Sequence, residues 1–416
     1  MIGVRMDENH KLAENDHRRL GAELDLYVTS DLVGSGLPML TPRGTVLREE
    51  LATYSNELRE KVGFRKVWSP HLTKTDLYKT SGHWDKFGAE LFLVKSQETS
   101  DELVLKPMNC PHHIQIYTSK PRSYREMPIK YLEVGTVYRD EKSGELQGLA
   151  RVRSLSIDDS HVFCREDQID QVVKELIEAS QALYKTIKMD LKFRLSFRDE
   201  SDAYLGSADL WEKAQTTMER IAKEENLDFH VEPGDAAFYG PKIDFLATDV
   251  QGRTWQVATV QLDFVIPEQF KLAYTNENGK DIRPVMVHCA LLGSIERFMA
   301  VYIEHTSGKF PVWLAPEQLR VATLKDDANI LKMAKSVVEN AKALGIRAEL
   351  DDSNESVGKK VAEAEAMKVP YTVVIGEKEV SSGQIEPRTR ADLPAAQSAS
   401  FDDFLHQVAN QVSKRA

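Results

Sequence analysis

The sequence predicts an α+β domain built on an antiparallel sheet, followed by a smaller α/β domain whose sheet is mostly parallel. Three observations predict it. Segments in the middle of the chain alternate apolar and polar residues and are rich in β-branched and aromatic types. Two amphipathic helices interrupt those strands without alternating with each of them, the segregation expected of α+β. Beyond FPVWLAPEQ (310–318) the rhythm becomes strand–helix–strand–helix–strand, which closes as a parallel sheet.

The elements follow in order. A polar helix ends in LGAELDLY, and PMLTPRG (38–44) reads as a turn-rich entry. Residues 45–62 form a helix with Leu47, Leu51, Tyr54, Leu58 and Val62 on one face. Gly63 stops it, and FRKVWSP follows as a short strand ended by Pro70. The strands are KYLEVGTVYR, ARVRSLSIDDSHVF, LKFRLSFR, PKIDFLATDV and RTWQVATVQLDFVI, the last two joined by a hairpin turn at Gln251-Gly252. One interrupting helix carries Ile169, Val172, Val173, Leu176, Ile177 and Leu183; the other carries Leu210, Trp211, Ala214, Met218 and Ile221. In the second domain LRVATL, IRAELD and VPYTVVIG are strands, with helices over 328–344 and 356–367 between them. An Ala/Ser-rich segment leads to a last helix with Phe401, Phe404, Leu405, Val408 and Val412 on one face. The expected domains are a helical lead-in 1–26, a first domain 27–312 and a second 317–416.

A chain of 416 residues has room for two or three domains. Hydrophobic content of 42% and charged content of 29% are those of a globular protein, and no apolar run reaches membrane-spanning length. The start has no apolar h-region, so it is not a secretory signal, and a cytoplasmic address with no membrane partner is expected. Cys110, Cys164 and Cys289 are odd in number and sparse, which argues against a disulfide framework. A net charge of −11 argues against non-specific coating of nucleic acid, while leaving room for a local basic dock.

Several residues sit in company that suggests chemistry. Arg139 lies where a strand runs into the loop RDEKSGELQGLARVR, and Arg297 at a Gly-Ser entry to a helix. A guanidinium holds phosphate oxygens bidentately and steadies charge developing in nucleotidyl transfer. A lone arginine is nonetheless usually a surface residue paired with an acid. Cys110, His112 and His113 in MNCPHH are ligand types for zinc, but their spacing fits no compact zinc finger, and a satisfied structural cluster is the commoner outcome. No HExxH arrangement supports a hydrolytic zinc enzyme.

SGHWDKFG, KPMNCPHH, VYRDEKSGELQGLARVR, DDSHVF, AFYGPKIDF, TVQLDF and VMVHCALLGSIERF, in that order, together resemble the threonyl-tRNA synthetases. The ordered set runs from near residue 17 to near 395. The resemblance implies a class II synthetase catalytic domain with an antiparallel sheet and a C-terminal α/β anticodon-binding domain. It implies activation of threonine by ATP, transfer to tRNA(Thr), one zinc ion per subunit, Mg2+ with ATP, and a homodimer through residues 45–70. Arg139 then matches the arginine on the α-phosphate, Glu141 the reader of the adenine amino group, and Arg151 the holder of outer phosphates. Arg297 matches the arginine that stacks on adenine, and Gln256 and Thr259 fall at nucleotide-binding positions. Cys110, His161 and His288 match the zinc ligands, leaving open coordination positions for substrate. Asp159 matches the acceptor of the threonine hydroxyl proton, with Tyr239, Lys242 and Gln261 around the amino acid. His83 matches the histidine that helps deprotonate the tRNA ribose. Asn354, Glu379 and Arg388 match anticodon-reading positions.

The chain departs from the family pattern at several places. RVRSLSIDDSH stands for RVRGFTQDDAH, so Leu155 replaces a phenylalanine that stacks on adenine and Ile157 a pocket glutamine. Val257 and Ala258 replace Cys-Gly, Cys289 an arginine, and His112 a glycine. These changes crowd and dry the pocket, and would suit an alternative: a weakly catalytic or non-catalytic paralogue that binds tRNA-like RNA as a regulator. In the second domain Val361, Ala362 and Glu363 stand where the family is more basic. Full-length members also carry an N-terminal accessory domain and an editing domain, so this chain is expected not to clear mischarged serine in cis.

Overall fold

The computed structural model describes residues 12–415; residues 1–11 of the expected lead-in lie outside the described residues. The chain divides into two compact units, one of residues 29–38 and 51–301, the other of residues 12–28, 39–50 and 302–415.

The first unit is built on an eight-stranded sheet. Across it the order is Phe229–Pro233, Leu191–Phe197, Lys242–Thr248, Thr254–Asp263, Val285–Ser294, Ser154–Cys164, Ile129–Tyr138 and Arg65–Lys66. The six inner strands pair antiparallel, as expected from the sequence. Both edge pairs are parallel instead. The reason at one edge is a crossover: helix Ala208–Glu224 separates Leu191–Phe197 from Phe229–Pro233, and a strand that returns through a helix lies parallel to the one it left. That helix starts where the Ser207 hydroxyl accepts from the Leu210 N–H at 3.4 Å, and it buries Trp211, Ala214, Met218 and Ile221. Helix Ile169–Thr186 buries the apolar face read from its sequence, and its Tyr184 hydroxyl donates to the Leu291 carbonyl at 2.8 Å, fastening helix to sheet.

Two elements differ from the sequence reading. Strand Val285–Ser294 is buried along most of its length, so it shows a continuous apolar run with no alternation to betray it. The PMLTPRG segment is not a loop throughout: a helix runs Pro42–Lys61. The Thr41 hydroxyl accepts from the Gly44 N–H at 3.2 Å, and Pro42 occupies the first helical position, where its missing N–H costs nothing.

One buried charge pair ties the inner strands to that helix. Arg59 and Asp158 are both fully buried and paired. The second Asp158 oxygen accepts from the Ser55 hydroxyl at 2.7 Å and from the Leu291 and Leu292 N–H groups at 3.2 and 3.0 Å. Helix Pro42–Lys61 and strands Ser154–Cys164 and Val285–Ser294 therefore meet at one carboxylate.

The other unit holds a four-stranded sheet in the order Ala348–Asp351, Leu319–Thr323, Tyr371–Ile375, Arg388–Thr389, parallel except for the last pairing. Helices Ala328–Ala343, Val357–Ala366 and Phe401–Lys414 accompany it, and Val321, Ile330, Val337, Val373 and Phe404 form its core. Lys360 is buried in it, its ammonium donating to the Thr323 and Asp351 carbonyls at 3.0 and 3.2 Å. Among the described residues no helix is long and apolar enough to cross a membrane.

Removing one partner of a buried pair leaves an uncompensated charge. Arg59→Met is expected to cost about 3–5 kcal/mol in urea unfolding, and Arg59→Met with Asp158→Leu distinctly less, because the double change strands no ion.

Candidate active site and metal centre

The site is laid out by sheet register. His288 lies directly opposite His161 across one strand pair and opposite Gln261 across the other, and Gln261 lies opposite Lys242. The next row on the same face, two residues along each strand, holds Asp159, Ala290 and Thr259. A further step brings Ile157, opposite Gly135. Helix Cys110–Thr118 carries Cys110 as its first residue, with Pro111 in the turn where a proline is tolerated.

Cys110, His161 and His288 converge: one ligand atom from each lies within 4.8 Å of the others, and all three are buried. Each ring has its outer partner. Nε2 of His288 is 2.9 Å from Oδ2 of Asp263, whose Oδ1 accepts from the Val265 and Ile266 N–H groups at 2.7 and 2.9 Å. Nδ1 of His161 is 2.7 Å from Nδ1 of His113, and Nε2 of His113 is 3.0 Å from Oε2 of Glu133. Burial, with His113 and His288 nearby, pushes the His161 imidazole well below its ordinary range, so it is neutral. Burial, with the carboxylates Asp159 and Asp263, pushes the Cys110 thiol well up, so a cation is needed to ionise it. One thiol and two imidazoles, each ring with an outer hydrogen-bond partner, are a donor set that fits zinc.

A cavity of about 610 Å³ opens above the sheet. Its wall includes Arg139, Glu141, Arg151, Asp159, His161, Tyr239, Gln256, Thr259, Gln261, His288 and Arg297. Asp159 accepts from Nδ2 of Asn109 at 3.1 Å, and burial raises its carboxyl. The Tyr239 hydroxyl donates to Gln261, and its ring stacks on His288 at 4.6 Å. Arg139 lies 5.2 Å over the Phe87 ring, and Arg297 5.9 Å over Trp255. Neither has a carboxylate at ion-pair distance among the described residues. Burial lowers both guanidiniums, and the charge of Arg151 adds to the effect at Arg297. Two guanidiniums on one cavity wall, neither held in a salt bridge, favour an anion there; Arg139 is half-buried and Arg297 exposed. Arg151 is placed differently, paired with Glu141 and Glu145 at 2.7 Å each.

Cys110, Lys242 and His83 lie off this wall, Cys110 reaching it only through its two histidine partners. Lys242 keeps its register position but its ammonium pairs with Asp244 at 3.2 Å. His83 is buried, with Nε2 3.5 Å from Sγ of Cys110 and Nδ1 2.8 Å from the Ser81 hydroxyl; burial, His288 and Arg139 hold it down to about 3. In the other unit Asn354 and Arg388 are exposed, while Glu379 accepts from the Gly376 N–H at 2.9 Å as a helix cap.

Comparison with known proteins decides the family. Residues 92–306 match the tRNA synthetase class II core domain (G, H, P, S and T), and residues 318–411 the anticodon binding domain. The chain is 47% identical over 94% of its length to threonine–tRNA ligase of Gloeobacter violaceus, and 46% identical over 91% to that of Synechocystis. The structure of the RNA-binding domain of threonyl-tRNA synthetase from Cryptosporidium parvum superposes with a TM-score of 0.90, at 33% identity, covering 95% of this chain and 98% of that one. The chain belongs to the threonyl-tRNA synthetase family. It spans 62% and 64% of the length of the two curated relatives.

Within this threonyl-tRNA synthetase fold, most of the residues named from sequence share one cavity. Leu155, Ile157, Val257, Ala258 and Cys289 line it too, so these departures from the family pattern lie at the site. Sequence reasoning passed over His113 as a partner of His161, and over Glu133, Asp263 and Asn109. The signal for Glu133 and Asp263 was there: a buried acid in a strand needs a partner. Gly135 also has a structural duty. A Cβ there would sit 2.7 Å from Oδ1 and 2.9 Å from Nδ2 of Asn109, the residue that holds Asp159. Gly135→Ala is expected to cost about 1–3 kcal/mol of stability in thermal unfolding, the price of overpacking.

Proposed function

We propose that this chain activates threonine with ATP and transfers it to tRNA(Thr), in a catalytic domain followed by an anticodon-binding domain. The observation that carries the reading is the convergence of Cys110 with His161 and His288, two histidines that line the same cavity as two guanidiniums free of salt bridges.

The two ends of that cavity suit the two halves of a mixed anhydride. Arg139 and Arg297 would receive the phosphates, with Mg2+ entering as the counter-ion of ATP. The threonine carboxylate then attacks the α-phosphorus in line and pyrophosphate leaves; both arginines stabilise the charge that develops. Glu141 would read the adenine amino group once Arg151 leaves it for an outer phosphate, with Gln256 and Thr259 completing the nucleotide end. Leu155 offers the base an apolar face without aromatic stacking.

At the other end, a bound zinc ion would take the amino and hydroxyl groups of threonine at its open positions. Asp159, fixed by Asn109, would accept the hydroxyl proton, and Tyr239 and Gln261 would close around the amine side. Valine supplies no hydroxyl, so it would leave Asp159 without its partner; sites built to bond a hydroxyl reject the analogue lacking it by about 10⁴–10⁵-fold. Lys242 would join the pocket only by leaving Asp244. In the second step the terminal ribose hydroxyl of tRNA attacks the activated carbonyl, the anhydride bond breaks and AMP leaves. His83 is the proposed helper for its proton, which requires its ring to reach the cavity when tRNA binds. Asn354, Glu379 and Arg388 are proposed for the anticodon, and residues 45–70 for a homodimer contact, to be read by sedimentation.

The test is amino-acid-dependent ATP–pyrophosphate exchange by the purified chain. Exchange is expected with threonine and not with valine, lost on chelation and restored by zinc. Arg139→Ala is expected to lower it by about 10²–10³-fold, in the range of losing one charge-stabilising donor. No exchange, with tight binding of RNA, would instead favour a regulatory paralogue.

A further inference from the structure

His161 reaches its partners through a chain of side chains that runs away from the cavity. Nδ1 of His161 meets Nδ1 of His113 at 2.7 Å, and Nε2 of His113 meets Glu133 at 3.0 Å. Glu133 is itself enclosed. Its Oε1 accepts from the Ser69 N–H at 2.9 Å and the Lys106 ammonium at 3.4 Å, and its Oε2 accepts from the Ser69 hydroxyl at 2.8 Å. Lys106 is fully buried and also donates to the Ser69 carbonyl and hydroxyl.

The donors and acceptors in this chain fix where the protons are. A carboxylate only accepts, so the proton of His113 is on Nε2, facing Glu133. Two lone pairs cannot face each other at 2.7 Å, so a proton lies between Nδ1 of His113 and Nδ1 of His161. Ligation through Nε2 of His161 requires that proton to sit on Nδ1 of His161, with Nδ1 of His113 as its acceptor. That leaves Nε2 of His161 unprotonated, 3.7 Å from Oδ1 of Asp159. A lone pair aimed towards a carboxyl oxygen, beside a thiol and a second imidazole, is an arrangement that a cation relieves.

From this network we infer that His113 and Glu133 are positioning residues for the metal centre: Glu133, acting through His113, selects the one tautomer of His161 whose Nε2 can ligate. The inference rests on the zinc reading above and extends it to two residues that touch neither metal nor substrate. His288 is set independently by Asp263, so the two imidazoles have separate controls. His112, the neighbouring histidine, has no part: its Nδ1 faces the Tyr78 hydroxyl at 3.5 Å and its Nε2 has no hydrogen-bond partner among the described residues.

The substitutions separate tautomer control from bulk. Glu133→Gln keeps the shape but lets an amide N–H face His113, which turns both ring protons round and places one on Nε2 of His161. His113→Leu removes the acceptor altogether. His113→Asn keeps an acceptor near the Nδ1 position. Zinc affinity is measured on the full chain by competition with a chromophoric chelator at fixed pH, with circular dichroism reporting the folded fraction. Glu133→Gln and His113→Leu are each expected to weaken zinc binding about 10–100-fold, the usual effect of losing an outer partner of a ligating histidine, with His113→Asn recovering most of it. The KM for threonine should rise in step while the KM for ATP holds. Folded Glu133→Gln and His113→Leu proteins that bind zinc as the unaltered chain does would overturn the inference. An unaltered chain that binds no zinc would instead overturn the reading it rests on. If His113→Leu does not fold, the comparison of Glu133→Gln with His113→Asn decides the matter alone.

Discussion

The register between strands Ser154–Cys164 and Val285–Ser294 is the constraint on which the site depends. It sets His161 opposite His288 and Asp159 opposite Ala290. Because side chains alternate faces, a slip of one residue would turn His288 to the far side of the sheet and bring Val287 or Cys289 to the cavity side. The buried Asp158 carboxylate guards against such a slip, since it bonds the Leu291 and Leu292 N–H groups of the neighbouring strand and the Ser55 hydroxyl of the helix. Adjacent residues thus divide the labour: Asp158 faces away and fixes the register, and Asp159 faces the cavity.

Much of this fold is legible in the sequence because its signals are local. The helices Ile169–Thr186 and Ala208–Glu224 carry their buried stripes at the expected spacing, and Lys242–Thr248 and Thr254–Asp263 announce themselves by β-branched and aromatic residues around a Gln-Gly turn. What escaped depended on long-range pairing. Strand Val285–Ser294 lacks alternation because it is buried along most of its length. Direction is not local either, which is why the two parallel edges were not foreseen in an otherwise antiparallel sheet.

The site divides the same way. Cys110, His161 and His288 are far apart in sequence, and only an ordered set of motifs suggested grouping them; no spacing rule would have done so. Within MNCPHH the adjacent histidines look equivalent, yet one backs a ligand ring and the other lies against Tyr78. Successive helical residues point about 100° apart, so neighbours in sequence cannot share a role on one face. His83 and Lys242 show the converse: a motif places a residue near the site, while the partner its side chain takes, Cys110 in one case and Asp244 in the other, is a matter of packing.

Five of the departures from the family pattern, Leu155, Ile157, Val257, Ala258 and Cys289, gather at one cavity. Leu155 packs with Val137, Val152 and Ile157 in a small apolar cluster at the end of the cavity nearest the motif loop, and Val257 and Ala258 line the same cavity. The row that holds His161, His288 and Gln261 is untouched by them, as are Asn109 and Gly135 beneath Asp159. Apolar replacements act over contact distance, because dispersion and desolvation fall away within a shell of atoms, whereas the hydrogen-bonded chain through His113 and Glu133 is anchored on the opposite side of the ring it controls. The apolar cluster and the histidine pair thus occupy separate rows of the sheet: Ile157 lies opposite Gly135, two rows along from His161 and His288.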